Sequence, residues 1–159
     1  MTRRFFSAFA VVVVSMLVLG TTVMAADSNI GTWKLNPAKS KFSPGPAPKS
    51  QTLKIEAWGA DGVKFTADGV GADGKPSHWE FQAKYDGKFV PFKGNPDADM
   101  LAYKRIDAHT VESTTTLKGK PAQTTKVVVS ADGKTRTLTQ TGKNAKGETV
   151  HHVVVYDKQ

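Results

Sequence analysis

Residues 77–85 read Ser-His-Trp-Glu-Phe-Gln-Ala-Lys-Tyr and alternate without a break. In an extended chain successive side chains point to opposite faces. Trp79, Phe81, Ala83 and Tyr85 therefore share one face, and His78, Glu80, Gln82 and Lys84 share the other. The stretch predicts a half-buried strand, and the same period recurs on either side. Leu53, Ile55 and Ala57 alternate with Lys54 and Glu56, and Val63, Phe65 and Ala67 with Lys64, Thr66 and Asp68. Leu101 and Tyr103, Val111 and Leu117, and Val127 and Val129 continue it, and no longer window carries a helical apolar stripe.

One turn device punctuates these runs: Asp61-Gly62, Asp73-Gly74-Lys75, Asp86-Gly87-Lys88 and Asp132-Gly133-Lys134. Asp-Gly tolerates the positive φ angles of tight hairpins. Lys118-Gly119-Lys120-Pro121 and Asn144-Ala145-Lys146-Gly147 are looser versions of it, and Asp107-Ala108-His109 is a weaker turn. Ten strands are predicted, at about 31–35, 50–58, 63–70, 77–85, 88–92, 99–107, 109–117, 123–131, 135–142 and 148–157. Each has one apolar face that must be covered, and an open sheet would leave that face wet and two edges unpaired. The expected fold is all-β: an antiparallel up-and-down meander closed into a barrel. A two-sheet β-sandwich is the alternative, disfavoured because Greek-key crossovers need longer connections than these turns.

Upstream of the strands the chain has a different character. Arg3 and Arg4 precede an uncharged apolar run from Ala8 to Leu19, too short to span a bilayer. Val23-Met24-Ala25 supplies a small-x-small site, so residues 1–25 are expected to be a signal peptide cleaved after Ala25. Residues 26–159 then form one β-barrel domain, in the periplasm or secreted. Loss of the two leader arginines lowers the net charge from +8 to +6. The absence of cysteine excludes disulfides, thiolate metal sites and cysteine nucleophiles.

Gly31-Thr32-Trp33-Lys34-Leu35 opens the first strand. Its Gly-x-Trp resembles the opening signature of the lipocalin and fatty-acid-binding (calycin-type) superfamily, in which the tryptophan closes one barrel end. The resemblance implies that Trp33 is a structural plug and that the interior takes a ligand. The longer string from Gly31 through Asn36 to Ser40-Lys41-Phe42 is similar to a group of small exported bacterial proteins that brings no known activity. The chain also departs from the superfamily pattern. Fatty-acid-binding proteins insert a helical pair between the first two strands, whereas residues 36–50 hold Pro37, Pro44, Pro46 and Pro48, which favour extended structure. The C-terminal helix and disulfide of lipocalins and the Arg-x-Tyr pair of fatty-acid binders are missing, so the resemblance implies a barrel without fixing a ligand class.

Trp79, Phe81, Tyr85, Phe65 and Tyr103 fall on the inward parity as candidate ligand-binding residues, either lining a cavity or filling the core. After the leader only two arginines remain, Arg105 and Arg136. Arg136 opposes a row of Thr135, Thr137, Thr139 and Thr141; if that row is solvated, Arg136 points inward, and if the row is inward it does not. Arg105 follows Leu101 and Tyr103. A guanidinium inside a barrel can anchor a carboxylate, and at the rim it pairs with an acid such as Glu112 or Glu80.

No metal site or cofactor is expected: His151 and His152 point to opposite faces, His78 and His109 stand apart, and Asn95–Asp99 lacks the ligands of a calcium loop. Nucleophile elbows, phosphate loops and zinc-protease motifs are missing, so the chain reads as a non-enzyme. Two functions of different class follow: a monomeric carrier or sensor of a small amphipathic or anionic molecule, or a filled structural module meeting anionic envelope surfaces through its lysines. Nucleic acid is not an expected partner, since the aromatics belong to the buried parity.

Overall fold

The computed structural model describes residues 27–159. The predicted signal peptide and its cleavage site lie outside the described residues. Ten strands follow in order: β1 Gly31–Leu35, β2 Ser50–Ala57, β3 Gly62–Val70, β4 Pro76–Lys84 and β5 Asp86–Pro91, then β6 Met100–Arg105, β7 Thr110–Leu117, β8 Lys120–Val129, β9 Thr135–Lys143 and β10 Thr149–Lys158. All are antiparallel in one sheet, ordered β4-β3-β2-β1-β10-β9-β8-β7-β6-β5. Chain neighbours other than β4 and β5 pair with each other, and β1 pairs with β10 through Trp33 opposite Lys158 and Leu35 opposite Tyr156. That last pairing closes the meander into a barrel and excludes the two-sheet sandwich.

Closure is incomplete between β4 and β5. A single bridge joins Glu80 to Lys93 there, with both backbone bonds at 3.0 Å and the Lys93 ammonium 3.3 Å from the Glu80 carboxylate. Gly94 follows the bridge with φ +77, and a Cβ there would collide with the His78 carbonyl. Only glycine lets the chain pass so close.

The Asp-Gly-Lys turns share one mechanism. The carboxylates of Asp73, Asp86 and Asp132 accept the backbone N–H of Lys75, Lys88 and Lys134, each at 3.0 Å, while the intervening glycine takes positive φ. Asp61-Gly62 differs. The positive φ of that connection belongs to Gly59, and Gly62 already begins β3 with no room for a Cβ against the carbonyls of Ala83 and Trp58. The dipeptide marked the right place with the wrong geometry.

The proline-rich connection forms a single 3-10 turn, Pro37–Lys39, capped by the Asn36 side chain. It then extends β1 irregularly along β10: Lys41 and Val153 exchange backbone bonds at 2.7 and 2.9 Å, and His151 donates to the Ser43 carbonyl at 2.7 Å. Residues 36–43 thereby seal the wall that the five-residue β1 leaves open. The core is the inward parity, with Trp33, Ile55, Val63 and Ala83 almost fully buried.

Candidate functional site

In a meander alternate turns gather at alternate ends. The N-terminal segment and the β2–β3, β4–β5, β6–β7 and β8–β9 turns share one end. There Asn29, 2% exposed, organises a buried network. Its amide donates to the Tyr103 hydroxyl at 2.9 Å and the Tyr85 hydroxyl at 3.4 Å, and its side-chain oxygen accepts from Arg136 Nε at 3.0 Å. Its backbone carbonyl accepts from Trp33 Nε1 at 3.0 Å. Trp33 is wholly buried beneath this segment, with the Lys158 ammonium 5.0 Å from its ring centre.

Asp27 completes the closed end. It accepts from the Tyr85 hydroxyl at 2.6 Å and from Arg105 at 2.6 Å, and the Arg105 guanidinium lies 4.0 Å from the centre of the Tyr85 ring. This corrects the expectation for two residues. Arg105 is taken up by an acid and an aromatic face at the barrel's end, and neither it nor Tyr85 lines the cavity. Burial raises the Tyr85 and Tyr103 hydroxyls above the ordinary tyrosine range, so both remain protonated.

Above this floor is a cavity of about 620 Å³. Phe65, Trp79, Phe81, Tyr103 and Arg136 all line it. Phe65 and Phe81 stack with ring centres 4.7 Å apart at 11°, and Phe92 meets Phe81 edge-on at 5.5 Å. The mouth lies at the opposite end, where Pro44, Pro46 and Pro48 arch over it beside the β3–β4 turn and residues 94–97. His152 holds the arch: the Ser43 N–H donates to its Nδ1 at 3.0 Å, and its ring packs 5.3 Å from Phe42.

Arg136 is the exceptional group. The threonine row faces out, as one of the two sequence readings requires, and Arg136 faces in at 2% exposure. Nε donates to Asn29, and buried Nη1 has no hydrogen-bond partner among the described residues. Tyr156 lies under the guanidinium at 5.9 Å, with its hydroxyl pushed up to about 12 by burial. No carboxylate of the described residues pairs with Arg136. A buried cation without a counter-charge is strongly unfavourable unless something neutralises it. Among the described residues no cluster of histidine and acidic side chains has metal-site geometry.

Sequence reasoning missed Asp27 and Asn29. Both belong to a short coil segment with no periodicity, just past the expected cleavage site, and only the folded barrel gives them partners.

Comparison with known proteins bears on the architecture. No family model matches the chain, and no curated protein does. Solved structures do. A crystal structure of the wild-type fluorescent protein UnaG superposes with a TM-score of 0.56 at 17% identity, covering 82% of this chain and 97% of that one. Zebrafish ileal bile acid-binding protein, solved with cholic acid, gives 0.52 at 13% identity over 83% of this chain and 99% of that one. The chain shares the barrel architecture of these two proteins. At these identities the likeness carries the architecture alone, in agreement with the Gly-x-Trp resemblance.

Proposed function

We propose that the protein is an exported, non-enzymatic carrier or sensor that holds a small amphipathic anion inside its barrel. One observation carries the reading: a buried, unpartnered guanidinium nitrogen of Arg136 at the wall of an open cavity of about 620 Å³. That volume suits a small organic molecule, and a carboxylate would supply the missing counter-charge in a charge-assisted bond. The structural neighbour named for bile acid binding and solved with cholic acid gives the reading further support, being a barrel of the same fold. The leader at residues 1–25 would send the chain to the periplasm or outside the cell, as in the exported bacterial proteins its opening resembles. It would act there as a monomer, with its lysine-rich exterior free to approach anionic envelope surfaces. Native mass spectrometry of protein isolated from its own envelope tests this. The reading expects a bound anion of small mass that leaves on unfolding. The polypeptide mass alone, from protein that also fails to take up added anions, would refute it.

A further inference from the structure

The cavity has two unlike walls. Around the sheet, β3 and β8 are five strands apart in ten and so lie on opposite sides. The β3–β4 side presents the stacked Phe65 and Phe81 with Trp79. The β7–β9 side is layered, because paired strands put inward residues in register. Deepest is Arg136, opposite Tyr156 on β10. Next comes an apolar belt in which Val127 pairs with Leu138 and Leu138 with Val154. Beyond it is a polar rung, where Ser113 pairs with Thr125 and Thr125 with Gln140.

The rung faces the cavity yet is under-used. Ser113 and Thr125 are 7% and 5% exposed, and neither hydroxyl has a side-chain bond among the described residues. Gln140 Nε2 donates to Gln123 at 2.7 Å, which leaves the Gln140 oxygen free. All three side chains line the cavity. Apolar residues would fill these positions better if the wall met only a hydrocarbon chain, since buried polar groups are stable only when paired.

Arg136 and Gln140 are four residues apart on one strand, which sets the rung about 13 Å from the anion site. We propose that the cavity selects a rigid, flat-bodied anion carrying a second hydrogen-bonding group about 13 Å from its charge. The charge sits at Arg136, the body lies between the Val127–Leu138 belt and the Phe65–Phe81 stack, and the distal group meets Ser113, Thr125 and Gln140. The proposal rests on the carrier reading and deepens it: an unadorned acyl chain would leave the rung unsatisfied.

Two probes matched in charge and body separate the cases: (E)-4′-hydroxystilbene-4-carboxylate and (E)-stilbene-4-carboxylate, titrated calorimetrically into the protein. The hydroxylated probe should bind about five- to tenfold tighter, the worth of one net hydrogen bond. The preference should fall to within about twofold in at least one of Thr125→Val, Gln140→Leu and Ser113→Ala, with circular dichroism confirming that each variant folds. Equal affinity for the two probes, or a preference kept in all three variants, overturns the proposal and leaves the carrier reading standing. If neither probe binds, the carrier reading itself falls, and this inference with it.

Discussion

Trp33 and Arg136 meet at Asn29, and the pair shows how one residue can hold both floor and site. Asn29 accepts from Trp33 with its backbone and from Arg136 with its side chain, so the plug and the anion anchor share a support. Truncating Trp33 to alanine removes a wholly buried indole and that bond. Trp33→Ala should lower stability by about 3–5 kcal/mol in urea denaturation, the range for large aromatic truncations. A loss under about 1 kcal/mol would mean that the indole does not plug the barrel. That Arg136 and the threonine row face opposite ways was legible, because strand parity forces neighbours apart, but which of them faces inward is decided only by the folded barrel. The placement of Arg105 was not legible, since Asp27 lies 78 residues away in a segment without periodicity.

At the scale of elements the alternation was nearly sufficient. Strand bounds follow the apolar period closely because half-buried strands leave a period of two in the sequence. The exceptions are informative. Asp61-Gly62 looked like a primed hairpin, yet the turn runs through Gly59 because β3 begins one residue earlier than its apolar pattern. Gly94 gave no signal at all, since its need arises from the carbonyl of His78 across the seam. Gly94→Ala combines a positive φ with a backbone clash and should destabilise the fold by about 1–3 kcal/mol, read from chemical denaturation. A variant as stable as the parent would mean that the seam yields freely.

The proline arch offers a pH-dependent element. Burial lowers the His152 pKa below its ordinary 6.5, and its Nδ1 is an acceptor in the folded state. Between the folded and ordinary values the unfolded chain binds more protons, so the His152 contribution to stability is lost as pH falls through that window. His78 acts in the opposite sense. Its bond to Asp68 raises its pKa, and its contribution is present below 6.5 and lost as pH rises through the raised value. The two groups are separable by mutation. In His152→Gln the loss of thermal stability between pH 7 and pH 5 should be smaller than in the parent; an unchanged pH profile would remove His152 from the account.

The whole molecule is a barrel with a strong seam and a weak one. β9 and β10 pair across nine positions, from Thr149–Lys143 to Asp157–Thr135, whereas β4 meets the chain just past β5 through the single Glu80–Lys93 bridge. Local opening follows the density of such pairing. Amide hydrogen exchange should therefore be slowest along β9 and β10 and fastest along the facing edges of β4 and β5. Equal protection at both seams would indicate a fully closed sheet. The sequence made closure legible through its ten apolar faces, but which seam is weak depends on bridge geometry that no period encodes.

The central claim is that an anion is held at Arg136 inside this barrel. Paired calorimetric titrations of the parent and Arg136→Leu, with biphenyl-4-carboxylate and its neutral amide biphenyl-4-carboxamide, address it directly. The carboxylate should lose about 1.5–3 kcal/mol of binding, roughly 10- to 150-fold, as for a hydrogen bond to a charged group. The amide should change by less than about 1 kcal/mol. Equal carboxylate affinity in the parent and the variant would contradict the claim.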